Sequence, residues 1–211
     1  MKINEIYTSI LGESTWAGVP CVIVRLCGCN MRCTYCDTTY AYEKGIEMSV
    51  GQVFRTINKY NLIPVLITGG EPLIQEESFD LINNLIDSGH IVLVETNGSI
   101  SIENIPGDVI TIMDIKCPAS GESDRNLYSN IEYLSDPDNV KFVLSDRSDY
   151  EWAVNIIKDY DLESICFVLF SPVHGKLDPA DLSQWIIDDK LLARVSLQLH
   201  KIIWGENSRM R

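Results

Sequence analysis

Length, composition and charge limit the classes of protein to which this chain can belong. With 211 residues, 45% of them hydrophobic, it is long enough for one domain with its own core, which we place at residues 1–211. Its 17 basic and 30 acidic side chains give a net charge of −13, so we expect no nucleic-acid partner. No continuous apolar segment opens the chain and no later run approaches ~18 apolar residues, which predicts a cytoplasmic protein without a membrane anchor.

Short, nearly continuous apolar runs recur along the chain and predict β-strands. Strands that are buried on both faces of a parallel sheet have this composition, whereas half-exposed strands alternate apolar and polar residues. The seven runs occupy residues 21–26, 64–68, 91–95, 109–115, 140–144, 166–170 and 195–199.

Helical segments lie between most of these strands. Start signals at Ser49, Glu77 and Ser148 precede residues with helical spacing, and Gly89 is a stop signal. The connection over residues 96–108 contains two glycines and a proline, which predicts an irregular crossover. Alternating strands and helices indicate a parallel sheet, and a complete (β/α)₈ barrel usually needs about 250 residues. The sequence therefore predicts an α/β fold, an incomplete TIM-like barrel of six to seven parallel strands.

Unusual residues cluster at the carboxyl ends of the predicted strands. These segments are the cysteine-rich loop after the first strand, TGGEP (68–72), ETNG (95–98), DIKCP (114–118), SPVH (171–174) and, on the seventh strand, QLHK (198–201). In a barrel these ends form one face, where barrel enzymes carry their active sites. We therefore expect the segments to converge on one site.

The cysteine-rich loop is a candidate metal site. The chain has seven cysteines, an odd number that argues against a disulfide framework in a reducing compartment. Cys29, Cys33 and Cys36 have the spacing to bind three corners of a 4Fe–4S cluster and leave the fourth iron open. A zinc site with Cys27 as fourth ligand, or no metal at all, are the alternatives. Cys21 and Cys166 lie in predicted strands and are expected to be structural.

With these motifs the chain resembles the radical S-adenosylmethionine (SAM) enzymes. Their signature is Cys-x₃-Cys-x₂-Cys with an aromatic residue before the last cysteine, which is Tyr35 here. Gly69 to Pro72 are similar to the GGEP segment of that superfamily. The resemblance implies a radical SAM type of partial barrel, with the open iron chelating the amino and carboxylate groups of SAM.

A narrower resemblance, to the 7-carboxy-7-deazaguanine synthases of the 7-deazapurine (queuosine) pathway, covers nearly the whole chain. It rests on residues 9–14, 18–33, 36–42, 67–73, 95–99 and 195–206. The resemblance implies a lyase that converts 6-carboxy-5,6,7,8-tetrahydropterin to 7-carboxy-7-deazaguanine with loss of ammonia. The reduced cluster would split SAM into methionine and a 5′-deoxyadenosyl radical, which takes hydrogen from C6 of the pterin. A Mg²⁺ ion, a homodimer and an electron donor such as flavodoxin or ferredoxin are also implied.

The same resemblance assigns roles to individual residues. Cys29, Cys33 and Cys36 would hold the cluster and Thr38 would bind Mg²⁺. The implied substrate contacts are Ile10, Leu11, Gly12, Arg25, Thr68, His200 and Arg211. The implied SAM contacts are Gly70, Asp114, Ile115, Lys116, Ser171, Pro172, Val173 and His174.

Leu11 and the C-terminal ending depart from the family pattern. The sequence also leaves two alternative functions open. Leu11 stands where many members have glutamine, and the ending GENSRMR is unlike the short termini of the family. The first rival is a radical SAM activase that places a glycyl radical on a partner protein. The second is a non-catalytic iron–sulfur or zinc module, which predicts no affinity for SAM.

Overall fold

The computed structural model describes residues 1–61 and 64–205, and one sheet of nine strands runs through this part of the chain. Its spatial order is β3-β1-β2-β4-β5-β6-β7-β8-β9. The strands are β1 (Lys2–Ile10), β2 (Pro20–Leu26), β3 (Ile46–Glu47), β4 (Pro64–Gly69), β5 (Ile91–Thr96), β6 (Ile110–Ile115), β7 (Asn139–Leu144), β8 (Phe167–Pro172) and β9 (Arg194–Val195).

The predicted parallel sheet is confirmed. β2 and β4 to β9 are seven parallel strands, paired in chain order. β3 and β9 stand at opposite ends of the strand order, so the described strands form an incomplete barrel. The sequence prediction missed β1 and β3, which extend the sheet with antiparallel pairs beyond β2.

Helices cover the outer face of the sheet and begin at capping side chains. α1 (Val50–Asn58) begins at Ser49, as the sequence predicts, and the structure adds a reciprocal capping box between Ser49 and Gln52. α2 (Glu77–Asp87) is followed by Gly89 in the left-handed conformation (φ 81°). The cap of α3 (Arg147–Asp159) is Asp146 and not Ser148, because the Asp146 carboxylate accepts from the first backbone N–H groups. The remaining helices are α4 (Leu162–Ile165), α5 (Pro179–Asp189) and α6 (Leu199–Trp204). None of the helices in the described chain has the length and apolar character needed to span a bilayer.

The last predicted strand is wrong beyond its first residue. The sequence places a strand at residues 195–199, but β9 ends at Val195 and residues 199–204 are helical. Ser196 N–H still donates to the Phe170 carbonyl at 2.8 Å, whereas Leu199 N–H donates to the Gly12 carbonyl at 3.0 Å. The chain therefore leaves the sheet to pack on the loop after β1, and Gln198 to Lys201 reach the site from a helix. The crossover between β5 and β6 is irregular, as predicted.

Side chains inside the barrel divide into an apolar floor and a polar upper level. The floor consists of Leu11, Cys21, Ile23, Leu66, Leu93, Ile110 and Ile112. Successive strand side chains point to opposite faces, so the residue two positions after a floor residue points into the same interior. Those next positions are Arg25, Thr68, Glu95 and Asp114, all of which line a cavity above the floor. The strand period thus places polar groups at the carboxyl end of the barrel.

Candidate active site

A cavity of about 750 Å³ opens at the carboxyl ends of the parallel strands. Its walls come from every segment that the sequence singles out: the cysteine loop, Thr68 to Gly70, Glu95 to Asn97, Asp114 with Lys116, and residues 171–174. Gln198, His200 and Lys201 of α6 complete it. This volume is within the range of roughly 300–1,000 Å³ that is typical of small-molecule sites.

The three cysteines of the radical SAM signature line this cavity and are half-buried. Burial raises the pKa of the Cys29 and Cys33 thiols, so binding of a metal, which requires thiolates, would release protons. Cys27 lies apart from them: it is buried, and its thiol donates to the Lys44 carbonyl at 2.8 Å. The cavity therefore offers three thiols and not the four that a structural zinc site would take.

A cube-shaped cluster fits this donor set better than a single ion. In the part of the chain that the structure describes, no three His, Cys, Asp or Glu side chains converge closely enough to hold one metal ion. Three cysteines on a 4Fe–4S cluster bind three different irons, so their sulfur atoms surround a volume and do not meet at a point.

The Gly-Gly turn allows the end of β4 to contact the backbone of the cysteine loop. A Cβ at Gly70 would collide with the Gly28 carbonyl oxygen and stand 2.7 Å from the Cβ of Cys29. Glu71 N–H donates to the same carbonyl at 2.8 Å. Glycine at position 70 is therefore required by the close approach of two backbones beside the first cluster cysteine.

Glu71 is fully buried and links the Gly-Gly turn to the end of β5. Its carboxylate accepts from Leu73 N–H at 3.0 Å, from the Thr96 hydroxyl at 2.8 Å and from Asn97 N–H at 2.6 Å. Burial raises the pKa of Glu71 to about 7, although these donors and Lys116 act in the opposite direction. Glu71 is not among the residues that line the cavity, so its role is to hold the Gly-Gly turn and the end of β5 together.

Lys141 lies at the centre of a group of carboxylates that the sequence analysis missed. Its ammonium is 2.7 Å from Glu13, 2.6 Å from Glu95 and 3.5 Å from Asp114. Lys141 is only 4% exposed. Burial alone would lower its pKa, but the neighbouring carboxylates raise it well above the ordinary value. A lysine in the middle of the apolar run VKFVL was the available signal, because a buried cation requires a partner.

Arg25 projects into the cavity and is already held on one side. Its Nε donates to Glu5 Oε1 at 2.8 Å, Nη2 lies 3.5 Å from the Tyr7 hydroxyl, and the guanidinium stands 5.8 Å from the centre of the Tyr40 ring. Burial would lower the pKa of Arg25, but Tyr40, Tyr7 and Glu5 together raise it. A guanidinium has five N–H donors, and these two hydrogen bonds use two of them.

Side chains at the end of β6 point alternately into the cavity and away from it. Asp114 and Lys116 line the cavity and form an ion pair at 3.0 Å. The Ile115 side chain points the opposite way and is part of the outer hydrophobic core, so the SAM contact that the resemblance implies for Ile115 stays a prediction for its backbone. The Oδ1 atom of Asp114 is buried without a hydrogen-bond partner among the described residues. An unpartnered acceptor here suits a ligand that carries amino or hydroxyl donors, as SAM does.

The remaining implied SAM and substrate residues also line the cavity. Ser171 to His174 do so at the end of β8. Ile10, Leu11 and Gly12 do so at the end of β1 and in the loop that follows it, and a Cβ at Gly12 would meet His200 Nδ1 at 2.5 Å. Leu11 belongs to the apolar floor and is only 1% exposed.

Helix α6 is tied to the cysteine loop through Asp37. The Asp37 carboxylate accepts from Lys201 Nζ at 2.7 Å, from Gln198 Nε2 at 3.3 Å and from the Thr38 hydroxyl at 2.9 Å. Burial raises the pKa of Asp37, but these contacts, led by Lys201, lower it below its usual range. Thr38 and His200 line the cavity. Arg211 lies outside the described residues.

Comparison with known proteins gives the same assignment as this geometry. The family model of the Radical SAM superfamily matches residues 23–116, which include the cysteine loop, the Gly-Gly turn and Asp114 to Lys116. A partial barrel with three cysteines at its carboxyl face therefore defines a radical SAM enzyme. The 7-carboxy-7-deazaguanine synthase of Koribacter versatilis is 43% identical over 226 residues, which cover 99% of both chains. That of Chlorobaculum tepidum is 40% identical, covering 99% of this chain and 96% of the relative.

The chain belongs to the 7-carboxy-7-deazaguanine synthase family. The crystal structure of QueE from Escherichia coli superimposes with a TM-score of 0.78 over 93% of each chain at 21% identity, which shows the shared fold.

Proposed function

We propose that this chain converts 6-carboxy-5,6,7,8-tetrahydropterin to 7-carboxy-7-deazaguanine with loss of ammonia. The observation that supports this most directly is that one cavity brings together the three-cysteine loop, the Gly-Gly turn and the cation Arg25, in a chain 43% identical to a named synthase. A plain electron carrier needs no such cavity. An activase needs neither a carboxylate-binding arginine nor Gln198 and His200 at the rim.

The cofactor half of the cavity is the side formed by the cysteines, Gly70 and the ends of β6 and β8. A 4Fe–4S cluster and SAM, which the superfamily uses, supply a 5′-deoxyadenosyl radical that removes hydrogen from the substrate. In this chain Cys29, Cys33 and Cys36 would hold the cluster. The backbone at Gly70, the segment Asp114 to Lys116 and residues 171–174 would orient SAM, with Asp114 Oδ1 as an acceptor for its donors.

The substrate half is the side formed by Ile10 to Gly12, Arg25, Thr68 and His200. Arg25 would bind the pterin carboxylate through N–H groups that Glu5 and Tyr7 do not use. The Thr68 hydroxyl donates to Glu95 Oε2 at 3.0 Å, so its lone pairs stay available to a substrate donor. Burial lowers the pKa of His200, which favours a neutral imidazole that can both donate and accept.

The function is tested by anaerobic turnover of the pterin, with Arg25→Lys as the diagnostic variant. Wild type is expected to form the deazaguanine product with dithionite, SAM and Mg²⁺. Arg25→Lys keeps the charge but loses the planar fork, a charge-assisted contact worth about 1.5–3 kcal/mol. Apparent affinity for the pterin is therefore expected to fall by about tenfold or more, with SAM binding and iron content unchanged.

The matched control for this test is Arg147→Lys on the surface of α3. Arg147 Nε donates to Glu151 Oε1 at 2.9 Å, a contact like that of Arg25 with Glu5 but remote from the cavity. Normal pterin affinity in Arg25→Lys would disprove the proposed contact between Arg25 and the pterin carboxylate. Wild type that cleaves SAM but leaves the pterin unchanged would contradict the synthase assignment and favour the activase.

A magnesium ion beside Thr38 is the next part of the proposal. Thr38 lies two residues after the last cluster cysteine and lines the cavity, and its hydroxyl is oriented by Asp37 at 2.9 Å. Mg²⁺ takes few protein oxygens and keeps the rest of its shell for water and substrate, so one hydroxyl is a sufficient contribution from the protein.

Thr38→Ala is expected to raise the Mg²⁺ concentration needed for half-maximal turnover without releasing iron. This change removes the hydroxyl and the γ-methyl group, whereas Thr38→Ser removes the methyl group alone, so Thr38→Ser should keep the wild-type requirement if the hydroxyl binds the ion. Thr39→Ala, one residue further on and not among the residues that line the cavity, is the control. The measurement is a magnesium titration of initial rates. An identical titration curve for Thr38→Ala and wild type would contradict magnesium binding by Thr38 and leave it a structural role only.

We also propose a cytoplasmic homodimer, built from a single domain at residues 1–211, that receives electrons from flavodoxin or ferredoxin. The family resemblance supports the dimer and the donor, and the acidic composition is compatible with a soluble protein.

A further inference from the structure

The side chain of Asn97 lies between the end of β5 and the first cluster cysteine. Its Nδ2 is 3.0 Å from Asn30 Oδ1 and 3.8 Å from Cys29 Sγ. Its Oδ1 accepts from Ser99 N–H at 3.0 Å and from the Ser99 hydroxyl at 2.6 Å. A primary amide has two N–H donors, so one can serve Asn30 and the other the sulfur.

The orientation of this amide is determined by its partners. A backbone N–H is only a donor, so the atom facing Ser99 N must be the amide oxygen and the nitrogen must face the cysteine. Asn30 Nδ2 donates to the Ser99 hydroxyl at 2.8 Å, which closes a ring of three side chains around the amide. Rotation of Asn97 by half a turn would break both contacts to its oxygen.

The backbone of Asn97 is fixed as well. Its N–H donates to the buried Glu71 carboxylate at 2.6 Å, and Asn97 is only 6% exposed. A hydrogen bond from such a buried and rigidly held amide is electrostatically stronger than one in water. Cys29 Sγ also accepts from Met31 N–H at 3.4 Å, so this sulfur receives two donors.

We propose that Asn97 tunes the reduction potential of the cluster by donating an N–H···S hydrogen bond to the Cys29 thiolate. This inference rests on the cluster assignment of the proposed function but not on its substrate. One-electron reduction by dithionite or a protein donor adds one negative charge to the cluster and its thiolates. A donor aimed at one of those sulfurs stabilises the reduced form and raises the potential. Asn97 is thus a positioning residue that acts on the cofactor through Cys29, whose sulfur accepts hydrogen bonds from Asn97 Nδ2 and Met31 N–H.

The test is an EPR-monitored redox titration of the reconstituted full-length enzyme. Asn97→Leu removes both amide donors at similar volume and is expected to shift the midpoint potential to a more negative value. Asn97→Asp keeps an oxygen for Ser99 and places a carboxylate towards the sulfur, so its shift is expected to be negative and larger. Proton ENDOR of the reduced cluster should show a coupled, deuterium-exchangeable proton in wild type that is lost in Asn97→Leu.

Asn130→Leu is the matched control because Asn130 is another buried asparagine that holds the same crossover. Its Nδ2 donates to the carbonyls of Gly98 at 3.1 Å and Ile100 at 2.8 Å, and its contacts do not include a cysteine. An unchanged potential in both Asn97 variants would overturn the proposal, as would an equal shift in Asn130→Leu. Absence of an iron–sulfur EPR signal in the wild-type enzyme would disprove both the cluster assignment and the role proposed for Asn97. Shifted potentials in an enzyme that ignores the pterin would support the inference and reject the substrate.

Discussion

Lys141→Met is expected to lower the free energy of unfolding by about 3–5 kcal/mol, the usual cost of removing one partner from a buried ion pair. The ammonium of Lys141 lies within 3.5 Å of Glu13, Glu95 and Asp114. Methionine has a similar length but no charge, so these carboxylates would face one another without their central cation. Urea unfolding of the iron-free protein measures the change.

The pH dependence separates this charge effect from simple loss of packing. Burial raises the pKa of Glu95, but Lys141 outweighs burial and the pKa is lowered to about 2. The stability from this pair is therefore present above pH 4.5, the ordinary pKa of the group, and is lost as pH falls towards 2. Without Lys141, burial and the neighbouring carboxylates are opposed only by the Thr68 hydroxyl and by Arg25, so the pKa of Glu95 should rise in the variant. The deficit of the variant should therefore shrink between pH 7 and pH 4.

Two further variants control the Lys141 experiment. Lys158→Met, on the exposed side of α3, should change stability by less than about 0.5 kcal/mol. Lys141→Met combined with Glu95→Gln should recover part of the loss, because one of the unpaired charges is then removed. A pH-independent deficit, or a double variant no more stable than the single one, would contradict the electrostatic account.

The sequence could predict where the cysteine loop, Gly70, Asp114 and Ser171 meet, because the carboxyl ends of parallel strands lie on one face of the sheet. Cys29, Gly70, Asp114 and Ser171 lie more than 140 residues apart at the extremes, yet each lies at or just after the end of a short apolar strand. Right-handed crossovers place all such carboxyl ends on one face, so motif order along the chain becomes proximity in space. The strand period also accounts for Ile115, whose side chain points outward between two inward neighbours.

The carboxylates around Lys141, strand β1 and helix α6 depend on contacts that no local pattern contains. Lys141 and Glu13 are 128 residues apart and meet only because β7 and the loop after β1 border the same interior. β1 was missed because it is mostly half-exposed and lacks the continuous apolar run of the parallel strands. The strand predicted at residues 195–199 extends too far because VSLQL alternates apolar and polar residues as a strand does, whereas Leu199 N–H donates to the Gly12 carbonyl at the start of α6. Such long-range pairings are fixed by packing and not by local propensity.

Replacement of any one of Cys29, Cys33 or Cys36 by alanine is expected to abolish SAM cleavage and to release the cluster. These are the three thiols that line the cavity, and loss of one leaves too few ligands to retain the cube. Cys21, Cys27 and Cys166 provide matched controls. Cys21 and Cys166 are buried in strands or beside them, where burial raises the pKa of each thiol to about 12, and Cys27 is bound to the Lys44 carbonyl.

Iron content and release of 5′-deoxyadenosine should be measured anaerobically for all six alanine variants after identical reconstitution. The first three are expected to lack the broad visible absorption of the cluster and its perturbation by SAM, whereas the three controls keep both. Because Cys21, Cys27 and Cys166 do not line the cavity, the controls cannot substitute for a missing member of the trio. A fully active Cys33→Ala enzyme would disprove the cluster assignment. Loss of iron in Cys27→Ala alone among the controls would instead make that residue a fourth ligand, and the cavity would then have to be reconsidered as a closed metal site.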